Sequence, residues 1–402
     1  MATENNNKTL NVPNLRFPEF SGEWERSSLG VVFCKVENGL TYDPNNSEGL
    51  PVTRIETISD RSINYKRVGY AKDDGKLSKY KMEPGDILFS HINSLKHIGK
   101  TAYYDGEHPL YHGMNLLLLR TTNEESARFL FYQLNTSRFL HRCQVLANQA
   151  VNQASINTRE LKGITLHKPS IKEQIKIADF IYLLDNRIAT QIKIIEKLES
   201  LIRGLITDVN SGRIAQCKSV YLRDLLTEQH EKNTNNYEVC SVSVSQGVIN
   251  QIDYLGRSFA AKEVLHYNVV NCGDIVYTKS PTGEFPYGIV KRSDITKPVA
   301  VSPLYGVYRP IDDYVGKYLH LYFKSPINAK NYLHKLIQKG AKNTINITNQ
   351  HFLDNKILIP EKGWLENIVN FAAAIEMKIA TENKVLQTLQ QQKDYLLSKM
   401  FI

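Results

Sequence analysis

Apolar positions along this chain follow two rhythms. From Ile177 to Val209 they recur at spacings of four and three: Ile177, Ile181, Leu184, Ile188, Gln191, Ile195, Leu198, Ile202, Leu205 and Val209. A period near 3.5 residues marks a helix that presents one seam to a partner helix. A weaker series in the same phase, Ile368, Ala372, Ile375, Ile379, Glu382, Leu386, Leu389, Lys393, Leu396 and Met400, closes the chain. Neither stretch contains proline, and Gly212 stands just past the first, where a helix stop is expected. Long helices are therefore predicted over 170–212 and 363–402. Elsewhere the pattern is shorter. Runs such as Asp86–Ser90, Gly113–Arg120, Asp274–Thr278 and Ser302–Arg309 carry branched and aromatic residues suited to strands. Amphipathic stretches at Ala127–Leu146 and Tyr314–Gln338 read as helices packed on them.

The order of these elements repeats. Gly85-Asp86-Ile87-Leu88 returns as Gly273-Asp274-Ile275-Val276, and Phe129-Leu130 as Tyr318-Leu319. Ser155-Ile156-Asn157 returns as Thr344-Ile345-Asn346, each followed by a strand ending at a proline, Pro169 or Pro360. Phe180 then matches Phe371, and Ile188-Ala189-Thr190 matches Ile379-Ala380-Thr381. A period of about 190 residues is too long for a solenoid and means duplication of a whole domain with its helix. The expected fold is mixed α/β and pseudo-twofold. Two homologous globular domains, 1–169 and 213–362, are separated by two long antiparallel helices, 170–212 and 363–402, forming a coiled coil.

Geometry dictates the antiparallel arrangement. The first helix leaves domain one and delivers the chain to domain two, so the second must run back if the two pair. About 35 residues make a rod of roughly 50 Å. The pairing seam is expected to include Ile177, Leu184, Ile188, Gln191 and Leu198 against Ile375, Ile379, Glu382 and Leu389. Gln191 and Glu382 hold equivalent mid-rod places, where a polar seam pair fixes register at a cost in stability. Helices packed only on their own domains, or a seam serving dimerisation, are the alternatives.

Composition adds a partner class. Fifty basic residues against 41 acidic ones give a net charge of +9, which favours an anionic partner such as nucleic acid, though only weakly. The five cysteines are scattered and never form a C-x-x-C pair, so neither a disulfide framework nor a structural zinc site is expected. The polar opening MATENNNKTL lacks the apolar core of a signal peptide, and no apolar run is long enough to span a bilayer. A cytoplasmic protein with no membrane contact is the expectation.

Signatures of catalysis fail on inspection. Ser94 to Thr101 nearly spells a phosphate-binding loop, but its first glycine is replaced by Ser94 and a strand, not a helix, is expected after it. His108 and His112 stand four apart, yet Pro109 and Gly113 argue against the helix a metal pair would need. No nucleophile elbow and no Asn-Pro-Pro or Asp-Pro-Pro motif occurs. No catalytic residue, cofactor or metal is predicted.

Base reading needs Arg or Lys for guanine, Asn or Gln for adenine, and small hydroxyls, on loops that reach base edges. The first domain offers Ser90, His91, Asn93, Ser94, Lys96 and Lys100 after its Gly-Asp-Ile strand, and Gln149, Asn152 and Gln153 before Ser155. The second offers Lys279, Ser280 and Thr282, then Lys339, Lys342, Asn343 and Thr344, at matching places. Polar loops at matched positions but different in letter suit two readers of different half-sites; the plain alternative is that they are turns. Lysines in these loops would mostly hold phosphates. Trp24 and Phe20 read as core anchors.

The stretch Val12-Pro13-Asn14-Leu15-Arg16-Phe17-Pro18-Glu19-Phe20-Ser21-Gly22-Glu23-Trp24 resembles the opening of many specificity subunits of type I restriction-modification systems. The Gly-Asp-Ile strands, the Ser-Ile-Asn and Thr-Ile-Asn loops and Pro169-Ser-Ile-Lys-Glu-Gln-Ile175 are similar to that family too, so the resemblance covers nearly the whole chain. Trp364-Leu365-Glu366-Asn367 departs from it where Glu-Gln-Ile would be typical. The resemblance implies two target-recognition domains reading an asymmetric, bipartite site on double-stranded DNA. It also implies helices that set the gap and dock DNA methyltransferase subunits, and an ATP-dependent restriction subunit joining for cleavage. The competing class is a coiled-coil adaptor that binds only proteins.

Overall fold

The repeated Gly-Asp-Ile motif shows why each copy folds as it does. Gly85 and Gly273 adopt φ of +98° and +91°, a region that favours glycine. The following aspartates are both 1% exposed. Each caps its own turn: Asp86 Oδ2 accepts from the Glu83 amide at 2.7 Å, and Asp274 Oδ2 from the Asn271 amide at 2.8 Å. Each also holds an arginine of the neighbouring strand, Arg120 Nε at 2.7 Å and Arg309 Nε at 3.1 Å. A buried carboxylate needs such partners, so the motif fastens one strand to the next.

The computed structural model describes residues 11–59, 61–73, 75–150, 153–256, 263–339 and 345–402. It divides into two compact units, Met1–Ile192 with Val385–Ile402 and Lys193–Lys384. The first contains β1 (Glu25–Ser28), β2 (Phe33–Asn38), β3 (Ile87–Phe89), β4 (Thr101–Tyr103), β5 (Leu117–Thr121), α1 (Ala127–Leu134), α2 (Ser137–Leu146) and β6 (Thr165–Lys168). Helix α3 (Ile171–Asn210) follows, and its residues beyond Ile192 belong to the second unit. That unit contains β7 (Cys217–Tyr221), β8 (Leu226–Glu228), β9 (Ile275–Tyr277), β10 (Val290–Arg292), β11 (Gly306–Pro310), α4 (Asp313–Phe323), α5 (Pro326–His334) and β12 (Lys356–Pro360). Helix α6 (Lys362–Lys399) closes the chain.

The duplication is visible in the sheets. The first unit has a four-stranded antiparallel sheet in the order β2-β5-β3-β4 and a separate pair β1-β6. The second has β8-β11-β9-β10 and the pair β7-β12, element for element the same. Each amphipathic stretch read as helical holds two helices. Thr136 caps α2 by accepting from the Phe139 amide, and Ser325 with Pro326 restarts the second copy at α5. A capping hydroxyl and a proline at the first helical position are start signals that end the preceding helix.

The long helices run 40 and 38 residues, and their seam positions are buried or half-buried. In the first unit the start of α3 and the end of α6 share a core: Ile177, Ala178 and Ile181 cluster with Leu397, Met400 and Phe401. In the second unit Ile202, Ile206 and Val209 from the end of α3 cluster with Leu365, Ile368, Val369, Ala372 and Ile375 from the start of α6. Start meets end in both, so the helices are antiparallel. Leu184 and Ile188 are half-buried and Gln191 and Leu389 are buried in the first unit; Leu198, Ile379 and Glu382 are half-buried in the second. Lys393, a polar break in the second seam, is neutralised by Asp185 of α3 at 2.5 Å.

Residues 16–24 are held against the start of α3. Arg16 forks onto the buried Glu173 carboxylate at 2.7 and 2.8 Å, and Trp24 is 2% exposed. Phe20 is only half-buried; Phe17 instead meets Phe180 edge-on at 5.7 Å.

Candidate nucleic-acid interface

In each unit the loop after the Gly-Asp-Ile strand is tied off by its own backbone. The Ser90 amide donates to the Lys100 carbonyl at 2.8 Å and the Gly99 amide to the Ser90 carbonyl at 2.9 Å. The equivalent Thr278 amide donates to the Ile289 carbonyl at 2.9 Å. Gly288, at φ +96°, passes so near this strand that a Cβ there would lie 1.8 Å from the Thr278 carbonyl oxygen. The bases of both loops are thus tied by the backbone.

The first unit joins two predicted loops that are far apart in sequence. Ile92–Asn93 pairs with Gln153–Ser155, which pairs with Asn148–Ala150, in one small three-stranded sheet. Asn93, Ala154 and Gln149 are direct cross-strand partners and share a face; Gln153 stands on the other. Ser94, Lys96, Lys100, Gln149 and Gln153 are exposed, and Asn93 is half-buried, its amide donating to Ser90 Oγ at 3.2 Å. Asn152 lies outside the described residues.

Ser90 and His91 are placed differently from their neighbours. They are 2% and 6% exposed, so they brace the loop from inside. The Asn38 amide nitrogen lies 3.2 Å from His91 Nε2 and donates to the Met114 carbonyl at 2.7 Å, so Nε2 accepts and the imidazole is neutral. Burial, with His112 nearby, pulls the His91 pKa from 6.5 down to about 4. Between those values the unfolded chain binds a proton that the folded chain refuses, so stability falls as pH drops through that window. Urea midpoints at pH 7.5 and pH 5 should show the loss, with a shallower drop in His91→Gln; an identical drop in the variant would remove His91 as its source.

In the second unit Lys279, Ser280 and Thr282 are exposed on a tight turn, where the Thr282 and Phe285 amides donate to each other's carbonyls at 3.1 and 2.9 Å. Lys339 lies in a strand, Gln338–Lys339, that pairs with Ile345–Asn346. This hairpin follows α5 as the Asn148–Ser155 hairpin follows α2. Lys342, Asn343 and Thr344 lie outside the described residues.

A basic patch in the first unit was hidden from the sequence. Exposed Arg26, Arg138 and Arg142 surround His167, whose pKa is lowered first by burial and then by these three cations. Arg142 donates to the Thr165 carbonyl at 2.8 Å. The arginines come from β1 and α2, over a hundred residues apart, so no charge run announces them.

The excluded chemistries sit as follows. Lys100 is followed by strand β4, not by a helix. His112 is buried with Nε2 at 3.0 Å from the Leu116 carbonyl, while His108 is exposed against Tyr65. Among the described residues no group of His, Cys, Asp or Glu could hold a metal ion, and no helix is long and apolar enough to cross a membrane.

Residues 21–200 match the family model of the type I restriction modification DNA specificity domain. A putative type I restriction enzyme MjaX specificity subunit from Methanocaldococcus jannaschii is 39% identical over 217 residues, which are 53% of this chain and 51% of that one. Over these residues the chain is similar to type I specificity subunits. The StySPI specificity subunit of Salmonella potsdam is 24% identical over 194 residues, 47% of this chain and 40% of that one. The matches thus span about half the length, or less, of these curated relatives. The crystal structure of a type I restriction-modification S subunit from M. genitalium shares the fold at a TM-score of 0.57 and 13% identity, covering 97% of this chain and 99% of that chain. That a specificity subunit shares its fold over nearly the full length agrees with the duplicated sheets and paired helices described above.

Proposed function

We propose that this protein is the DNA-reading subunit of a methyltransferase complex and recognises an asymmetric, bipartite sequence on double-stranded DNA. The carrying observation is the same four-stranded sheet order in both units, with backbone-tied loops of different letters at equivalent strand ends. The target-recognition domains are 1–169 and 213–362, and the spacer helices 170–212 and 363–402 set the gap between half-sites. Loops bearing Asn93, Ser94, Lys96, Lys100, Gln149, Asn152 and Gln153 read one half. Those bearing Lys279, Ser280, Thr282, Lys339, Lys342, Asn343 and Thr344 read the other. Methylation and ATP-driven cleavage belong to partner subunits, which dock on the helices. Exposed Phe180 and Phe371 stand at repeated positions and suit two such contacts. This subunit supplies the address and not the reaction.

Selection of bound DNA from a random pool, with the methyltransferase partner present, tests this. Two unlike half-sites at a fixed gap are expected; enrichment without sequence preference would contradict it. The arginine patch gives a separate prediction. Phosphate contacts release counterions, each steepening the salt dependence by about 0.9 in log–log slope. Arg26→Ala, Arg138→Ala and Arg142→Ala combined should flatten the slope by roughly 2–3 and weaken all sequences alike. A change confined to one half-site would show base reading instead.

A further inference from the structure

The two copies differ sharply at one equivalent place. Ala102 of β4 pairs with Leu88, and Lys291 of β10 pairs with Val276 at the matching point of the second sheet. In the first unit the neighbouring Tyr103 packs its ring on Phe131 at 5.7 Å, an apolar plug. In the second the corresponding residues are Arg292 and His320, joined by the Arg292 amide donating to His320 Nδ1 at 3.1 Å. Beside them opens a cleft of about 660 Å³, walled by Ile202, Ile206, Val244 and Phe285, with Glu199, Glu284 and Glu376 also on its lining.

Lys291 lines this cleft and is 4% exposed. The neighbouring cations are neutralised: Lys324 by Glu376 at 3.0 Å, Arg292 by Asp294 and Asp313. Lys291 is not. Its side chain forms no ion pair or hydrogen bond with any described residue, and burial beside Lys324 pulls its pKa down to about 8. At neutral pH it remains mostly charged. Its nitrogen is not sealed from solvent, yet a charge so enclosed without an ion-pair partner is costly, and folding alone needs none here, since the equivalent Ala102 is fully buried.

We propose that the cleft binds a small organic anion, its carboxylate or phosphate head against Lys291 and its apolar body along Ile202, Ile206, Val244 and Phe285. The volume lies inside the range of about 300–1,000 Å³ usual for small-molecule sites. The site is independent of DNA reading and stands or falls by itself.

Calorimetric titration of the full chain with octanoate, octyl phosphate, inorganic phosphate and 1-octanol tests it. Octanoate or octyl phosphate should bind, with octanol and inorganic phosphate each at least tenfold weaker. Lys291→Met should lose at least tenfold in affinity while raising the melting temperature of the free protein, because an unpaired buried charge is gone. Val244→Trp, which fills a partly exposed wall and keeps the lysine, should block binding as well. Absence of binding by both amphiphiles, or unchanged affinity in Lys291→Met, overturns the proposal. So does protection of the cleft from hydrogen exchange only when a partner subunit is added, which would make the occupant a protein segment.

Discussion

Trp24→Ala will destabilise the first unit by roughly 3–5 kcal/mol, the usual cost of deleting a buried tryptophan. The indole is 2% exposed and meets Phe129 edge-on at 5.8 Å and Phe401 at 6.4 Å. Its Nε1 donates to Glu173 Oε1 at 3.4 Å, on the carboxylate that Arg16 holds. The substitution therefore opens a cavity and strips one partner from a buried charge. It also loosens the far end of the chain, because Phe401 reaches this core only by way of the returning helix α6. Against a total stability of about 5–15 kcal/mol, such a loss is large. Hydrogen exchange should show protection falling across 11–192 and 385–402 while 193–384 keeps its own. Loss spread evenly over both units would contradict the division of the core, and Phe401→Ala should reproduce a smaller version of the same pattern.

Gln149→Ala with Gln153→Ala should abolish discrimination at one half-site and leave the other intact. Each good side-chain–base pairing is worth about 1–3 kcal/mol, so the double change, at roughly 2–6 kcal/mol, should cost about thirtyfold to ten-thousandfold on the true sequence. Lys279→Ala with Thr282→Ala should do the same to the other half. Gln149 and Gln153 are exposed on paired strands, and Lys279 and Thr282 on a loop whose base is tied by backbone hydrogen bonds, so the fold should tolerate the changes. Affinities for the target and for DNA altered in either half decide it. Equal weakening on every sequence would mean these side chains touch only the sugar-phosphate backbone.

The helices and the duplication were legible because both leave long-range regularities in sequence. A seam repeats over about nine turns from Ile177 to Val209, and a Gly-Asp-Ile turn needs its glycine and its buried carboxylate in each copy. Strand limits were less legible: β3 and β9 have three residues each, too short for alternation to mark their ends. The break of each amphipathic stretch could be found at Thr136 and at Ser325-Pro326, whose capping chemistry is local. Burial within loops could not. His91 is internal because Asn38, remote in sequence, comes to meet it. The arginine patch and the unpaired Lys291 likewise arise from packing between distant elements, and no spacing rule exposes them.

We propose that this chain sets the address of a DNA methyltransferase. Sequencing methylated adenines in DNA from cells carrying it with a methyltransferase partner measures that directly. A two-part, asymmetric motif with a fixed gap is predicted, lost when the chain is deleted. An assembled complex that leaves the methylation pattern unchanged when this chain is removed would contradict it.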